Sequence, residues 1–258
     1  MIPTLEPFKN KHKGETCYIF GDGPSIKEFD YKRLKKYPAI CCGMQAFHRD
    51  FENINVQYYS LIEPYLFYPD WMIFPKKLQY LKKHRIIIDH FRKIIPLKKE
   101  ITFFVNLSNL FAIRKSNVEY AHRYLLKKNR DFHKFYKEGI DPFAGSFNAT
   151  LSLALLMGFK KVFLIGFDAF TIQQSPYRWY EKNLTREVNP LNYTNYRFLE
   201  LYKEDMEIFN ISNQGTMCNL ENEDYFLHTG HKPVFRENHE LIAKESLELI
   251  QRRFVNGY

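Results

Sequence analysis

The sequence predicts an α/β fold: a Rossmann-like, mostly parallel sheet flanked by helices, with a small helical or loop lid. Three observations carry this. An apolar strand pattern, Cys17-Tyr18-Ile19-Phe20, runs directly into the turn Gly21-Asp22-Gly23-Pro24-Ser25 and then into Ile26-Lys27-Glu28-Phe29. Further short apolar runs follow at the spacing of β-α-β units. In the second half, a helical pattern led by Gly145-Ser146 closes at Gly158, and Lys160-Lys161-Val162-Phe163-Leu164-Ile165 then precedes Gly166-Phe167-Asp168. A glycine that ends a helix, followed by a β-branched and aromatic run, is the local signature of a chain returning to a sheet.

Taken in order, residues 37–43 read as a second strand and residues 56–62 as a third. Residues 85–89 (Arg-Ile-Ile-Ile-Asp) and 101–105 (Ile-Thr-Phe-Phe-Val) add two apolar β-branched runs, read as strands. Residues 117–138, dense in Lys, Arg, Tyr and Phe, are expected to be helical or lid-like. Residues 173–196 lack periodicity but hold Tyr177, Trp179, Tyr180, Tyr193 and Tyr196, the composition of a loop that covers a site. A helix over 196–206, a strand over 207–212 and a terminal amphipathic helix over 239–254 complete the pattern. With no repeat, low-complexity tract or linker, residues 1–258 are expected to form one Rossmann-like domain, with lid segments near 110–140 and 170–196.

Composition narrows the function classes. A chain that is 45% hydrophobic and 17% aromatic, with 24 Phe and 18 Tyr, is not disordered as a whole. Lys and Arg total 38 against 29 acidic residues, a formal charge of +9, so the surface attracts polyanions such as phosphorylated substrates or anionic membrane. No RNP, KH or helix-turn-helix pattern supports nucleic acid as a partner. Cys17, Cys41, Cys42 and Cys218 form neither a CxxC pair nor a zinc spacing, and are expected to be reduced and mostly buried. The first residues lack a signal-peptide pattern, and apolar runs such as 151–159 are too short to cross a bilayer, so the expected location is cytoplasmic, with room for peripheral contact at the inner membrane face.

The turn at residues 21–25 is the expected nucleotide site. Gly21 and Gly23 let the backbone turn sharply and approach a ligand, Pro24 suits the first position of a helix, and Asp22 and Ser25 supply polar edges for a phosphate or ribose. The pattern is not G-x-G-x-x-G, which argues against a dinucleotide oxidoreductase; an ordinary strand-to-helix turn is the plain alternative. Ligands of open α/β sheets bind beyond the carboxyl ends of strands, which makes Gly166 to Phe170 a second pocket wall and Gly145-Ser146 a third. Glu63, beside Pro64 at a strand-to-loop edge, is placed for the same pocket.

For a general base, His228 and His231 flank Gly230 in residues 226–233, a segment able to present an imidazole; surface or helix-capping roles suit them equally. They lack a carboxylate or Cys partner at ligand spacing, so no metal site is expected. Asp168, at a strand end, either orients a substrate hydroxyl, acts as base, or caps the following turn.

These blocks resemble the bacterial sialyltransferases that decorate lipooligosaccharide, within a wider group sharing a motility-accessory-factor and 6-hydroxymethylpterin-diphosphokinase-like domain. In both, a strand leads into Gly-(Asn/Asp)-Gly-Pro-Ser, and residues 145–168 resemble the family's Ser-helix-Leu-Gly-Tyr-Lys-strand-Gly-Ile-Asp segment. The similarity spans most of residues 14–215. It implies metal-independent, inverting glycosyl transfer without a cofactor, from a CMP-activated acidic sugar such as sialic acid, Kdo or a related ulosonate, to a bacterial surface glycan or glycolipid. It places Asp22, Gly23 and Ser25 at the nucleotide and ribose, Glu63 where the family has an Asn near the donor, and Ser146 where a Ser touches the cytidine end. Phe170 and Tyr177 fall where two tyrosines meet the phosphate, although Phe170 cannot donate a hydrogen bond. The family's general-base His has no counterpart, since residues 169–205 contain no His. Tyr177, Ser25, backbone N–H groups and Arg178 are the expected phosphate donors. A glycolipid acceptor gives a use to the basic pairs Lys32-Arg33, Lys35-Lys36, Lys76-Lys77, Lys82-Lys83 and Lys127-Lys128. Two alternatives stay open: a Mg-ATP-dependent pterin pyrophosphokinase-like enzyme relying on Asp22, Asp168 and Glu63, and a non-catalytic nucleotide-binding protein.

Overall fold

Four consecutive apolar residues can sit in one strand only if both faces of that strand are covered. This is the situation of β1 (Thr16–Phe20), in which Cys17, Tyr18, Ile19 and Phe20 are all buried. The computed structural model describes residues 3–69, 85–167, 178–181, 197–213 and 220–255. In it β1 is joined by β2 (Ala39–Cys42), β3 (Val56–Leu61), β4 (Thr102–Asn106), β5 (Val118–Ala121), β6 (Lys161–Ile165), β7 (Glu207–Ile211) and β8 (Glu221–Glu223). They form one eight-stranded sheet in the order β5-β4-β3-β2-β1-β6-β7-β8, and every pair is parallel. The α/β, Rossmann-like expectation is met.

Alternation along the strands divides the core in two. Tyr18, Phe20, Cys41, Tyr59, Phe103 and Ile165 point to one face, where α1 (Arg85–Leu97), a turn over Pro24–Glu28 and α8 (Lys244–Val255) cover them. Cys17, Ile19, Ile40, Phe104 and Leu164 point to the other, beneath α4 (Gly145–Met157) and α5 (Arg197–Lys203). Between α1 and α4 in the chain lie the short helices α2 (Arg123–Leu126) and α3 (His133–Lys137), and α6 (Tyr225–Thr229) and α7 (Asn238–Leu241) precede α8. Helix α4 is apolar along most of its length because residues 147–157 are buried throughout, and it ends at Gly158 in a left-handed conformation, φ +80°, as the sequence predicts.

Four expectations need correction. Residues 85–89 open helix α1, which buries Ile87, Ile88, Phe91 and Ile95, a helical spacing that a window of five residues conceals. Residues 117–138 begin with strand β5 and contribute only short helices. The terminal helix is broken at Ile242, where the backbone is extended, into α7 and α8. The turn after Gly23 is a five-residue 3-10 helix, too short for a helix-dipole anion site.

Candidate functional site

Strand order reverses at β1: the chain steps outward through β2 to β5, then returns to place β6 on the other side of β1. The crevice beyond the carboxyl ends of β1 and β6 is therefore the topological switch point. There the two exit turns lie backbone against backbone. Gly21 N–H donates to the Ile165 carbonyl at 2.8 Å and Gly23 N–H to the Gly166 carbonyl at 2.5 Å. A Cβ on Gly166 would stand 2.8 Å from the Gly21 carbonyl oxygen and 2.7 Å from Ile26, and Gly166 has φ +70°, so only glycine fits. In front of the turns lies a cavity of about 290 Å³, near the lower end of the usual size for small-ligand sites.

Asp22 is turned into the protein at this edge. Both carboxylate oxygens lie 3.0 Å from the Met44 amide, which donates to them, and the Trp179 indole N–H donates to Oδ1 at 3.3 Å. Lost hydration pushes its pKa from 3.8 up to about 6, against the opposing pull of Arg178, the Met44 amide, Trp179 and Gln45. Gly43 makes the room: a Cβ there would come within 2.0 Å of Asp22 Oδ2. Below it, buried Gln45 donates to the Gly21 carbonyl and accepts from the Tyr31 hydroxyl at 2.5 Å, fixing the turn from underneath.

Residues 178–181 form one wall. The Trp179 amide donates to the Asp22 carbonyl at 3.0 Å, and the fully buried Trp179 and Tyr180 rings anchor the segment. Arg178 lines the cavity and donates to the Tyr180 hydroxyl at 2.8 Å. Tyr180, then Asp22 and Glu181, hold the guanidinium more firmly charged than usual, against the cost of its burial. A fixed cation in a partly apolar cleft is suited to a phosphate.

The opposite wall comes from the loop after β3 and the start of α4. Glu63 and Ser146 face each other, with the Ser146 hydroxyl donating to Glu63 Oε1 at 3.5 Å. Beyond Glu63 lies a second cavity, of about 370 Å³, at the carboxyl ends of β3, β4 and β5, lined by Asn106, His122, Arg123, Asp141 and Gly145 among others.

No protein-family model matches the sequence, and no curated protein matches it. Solved structures do. The monofunctional alpha-2,3-sialyltransferase Cst-I from Campylobacter jejuni superposes with a TM-score of 0.52 at 15% identity, over 88% of this chain and 86% of that one. The fold is like that of a bacterial sialyltransferase. The sialyltransferase CstII from the same organism, solved with cytidine-5'-monophosphate, aligns at 14% identity over 92% of this chain and 97% of its own, with a TM-score of 0.47. CstII solved with a trisaccharide acceptor and CMP gives 16% identity, 91% and 98% coverage, and a TM-score of 0.47.

Within this sialyltransferase-like fold, Gly21, Asp22, Gly23, Glu63, Ser146 and Gly166 come together around the first cavity, and Gly145 lines the second. Pro24 and Ser25 belong to the 3-10 turn and do not line either. Asp168, Phe170 and Tyr177 lie outside the described residues. The two histidines expected as bases are elsewhere. His228 has its side chain buried on the sheet face, with Nδ1 2.7 Å from Glu223 Oε1 and Nε2 2.8 Å from the Tyr18 hydroxyl. His231 is exposed and lines a separate surface groove. Sequence reasoning missed Gly43 and Met44, as well as Ile87 and Phe91 of α1, which are hidden when that segment is read as a strand, whereas Tyr180 belongs to the loop expected to cover the site. Gly43 had a signal: like Gly21 and Gly166, it stands at the end of an apolar run.

Proposed function

We propose that this protein is a glycosyltransferase that takes an acidic sugar from a CMP-activated donor and places it on a hydroxyl of a bacterial surface glycan, with inversion and without a metal. The observation that carries this reading is the cavity at the β1/β6 switch point, in which the Gly21–Gly23 turn, Ser146 and the Arg178 guanidinium converge. The motif blocks at residues 21–25 and 145–168, and the sialyltransferase-like fold, support the choice of donor. In the reaction the bond between the anomeric carbon and the phosphate oxygen breaks, CMP departs, the acceptor oxygen bonds to the anomeric carbon, and the acceptor proton passes to a base. Arg178 neutralises the charge that grows on the leaving phosphate. Tyr177, next to it in the chain, donates a hydrogen bond to the same group, while Phe170 contributes only apolar surface and Asp168 orients a sugar hydroxyl. We also propose that the enzyme works at the face of an anionic membrane, where a glycolipid acceptor resides.

The test is calorimetric titration with CMP, UDP, GDP and ATP, with and without Mg²⁺, followed by assay of CMP-sialic acid and CMP-Kdo cleavage in EDTA. Selective CMP binding and EDTA-resistant cleavage are expected. Binding of ATP that requires Mg²⁺, or no nucleotide binding, would overturn the reading.

A further inference from the structure

We infer that Glu63 is the catalytic base of this transfer, and that the second cavity, on its far side, seats the acceptor sugar. The inference rests on the donor reading above. Among the described residues, Glu63 is the one shared by the linings of the two cavities. Arg178 lines the first but not the second, and His122, Arg123 and Asp141 line the second but not the first. A base for an inverting transfer must reach the acceptor hydroxyl while that hydroxyl faces the anomeric carbon, and a carboxylate on the partition meets both conditions.

The neighbouring groups make contacts of their own, as Glu63 does with the Ser146 hydroxyl, so its place on the partition is what sets it apart. Asp22 accepts from the Met44 amide and the Trp179 indole. Asp141 accepts from the Phe143 amide at 2.9 Å and lies 3.8 Å from Arg123. His122 caps α2, its Nδ1 accepting from the Tyr124 amide at 3.4 Å, so the neutral ring carries its proton on Nε2 and acts as a donor. Glu63 is held in place through its backbone: the fully buried Asn109 donates to the Glu63 and Asn106 carbonyls, both at 3.2 Å, and accepts from the Phe67 amide at 2.9 Å.

The second cavity has the chemistry of a sugar site. Asn106, His122, Arg123 and Asp141 offer polar edges, and Pro64 and Phe143 offer apolar surface for a pyranose ring. In the step itself, the acceptor O–H bond breaks as its oxygen attacks, Glu63 takes the proton, and the electron pair of the cleaved C–O bond leaves with CMP.

The experiment compares wild type with Glu63→Gln, Glu63→Asp and His122→Ala, measuring CMP affinity, transfer to a glycan acceptor, and donor cleavage with azide as an acceptor that needs no base. Glu63→Gln is expected to lose transfer by roughly 10²–10⁴-fold while retaining CMP affinity, with azide restoring donor cleavage and Glu63→Asp keeping part of the activity. His122→Ala is expected to raise the acceptor KM about tenfold with donor affinity unchanged. Normal transfer by Glu63→Gln, or a loss that azide does not restore, overturns the base. An unchanged acceptor KM in His122→Ala overturns the acceptor site. A wild type that neither binds CMP nor cleaves a CMP-sugar fails the underlying donor reading instead, a result distinct from the other two.

Discussion

Asp22 shows what one residue costs and gains at this edge of the sheet. Its carboxylate gives up hydration to hold the Met44 amide and the Trp179 indole, joining the turns after β1 and β2 to the wall that carries Arg178. The folded carboxyl keeps its proton more tightly than the unfolded one, with a pKa near 6 against 3.8. Its contribution to stability is therefore complete below about pH 4 and is lost as pH rises through about 6, a difference on the order of 3 kcal/mol. Asp22→Asn keeps an oxygen for Met44 and Trp179 but has no proton to lose. Its stability relative to wild type is expected to improve by that amount between pH 4 and pH 7, measured by denaturant unfolding at both values; an offset that does not change with pH would refute the assignment. The role of Gly21 is legible in the sequence, because an apolar strand stops at a glycine. Gly43 stands at the end of an apolar run in the same way, but the reason it must be glycine is not legible, because it arises from the Asp22 carboxylate, a contact that exists only after β1 and β2 have paired.

At the scale of elements, the sheet explains both what sequence reading recovers and what it loses. Central strands buried on both faces read as continuous apolar runs, and β1, β2, β3, β4 and β6 are all legible that way. Three consecutive isoleucines satisfy a strand and a helix equally; only Phe91 and Ile95 further on reveal the helical face of α1, and with it the wall of the cavity. His228 is misplaced for a related reason. Its neighbour Gly230 suggests a loop, but that glycine ends helix α6 at φ +73°, and the helix directs the imidazole onto the sheet. There Nδ1 donates to the Glu223 carboxylate and Nε2 is hydrogen-bonded to the hydroxyl of Tyr18, whose proton is held firmly by burial and by repulsion from Tyr37 and Glu223. The chain Glu223–His228–Tyr18 ties α6 and the end of β8 to β1. His228→Ala is expected to cost about 1–3 kcal/mol of stability by denaturant unfolding and to leave turnover by the folded enzyme unchanged. Turnover slowed by roughly 10²-fold at unchanged stability would return His228 to catalysis.

Across the whole molecule, the charge of +9 has a partner in the distribution of apolar surface. Leu227, Val234 and Phe235 are 77%, 68% and 59% exposed, and Phe226 is 46% exposed, all within ten residues. The segment returns to the 3-10 turn after β1, where Val234 N–H donates to the Glu28 carbonyl and Arg236 N–H to the Lys27 carbonyl. A groove there is lined by Lys32, Arg33, Lys232 and Val234, and the exposed Lys35 and Lys36 follow in the chain. The acids of the groove are engaged: Asp50 with Arg236 at 2.6 Å, Asp30 with Arg33 at 3.6 Å, and Glu28 with the Asn213 amide at 2.6 Å. Exposed apolar side chains rimmed by lysines match the headgroup region of an anionic bilayer, which rewards each buried side chain with about 1.5–3 kcal/mol and each surface cation with about 1 kcal/mol. The protein is therefore expected to sediment with vesicles of phosphatidylglycerol in phosphatidylcholine and not with phosphatidylcholine alone, and to be released by salt. Leu227→Asn combined with Phe235→Asn is expected to weaken vesicle binding by at least about tenfold while leaving CMP affinity intact, since neither residue lines the cavity at the β1/β6 edge. Absence of sedimentation, or sedimentation indifferent to these two changes, would remove this surface from the membrane and leave the basic turns at residues 32–36 as ordinary solvated charge.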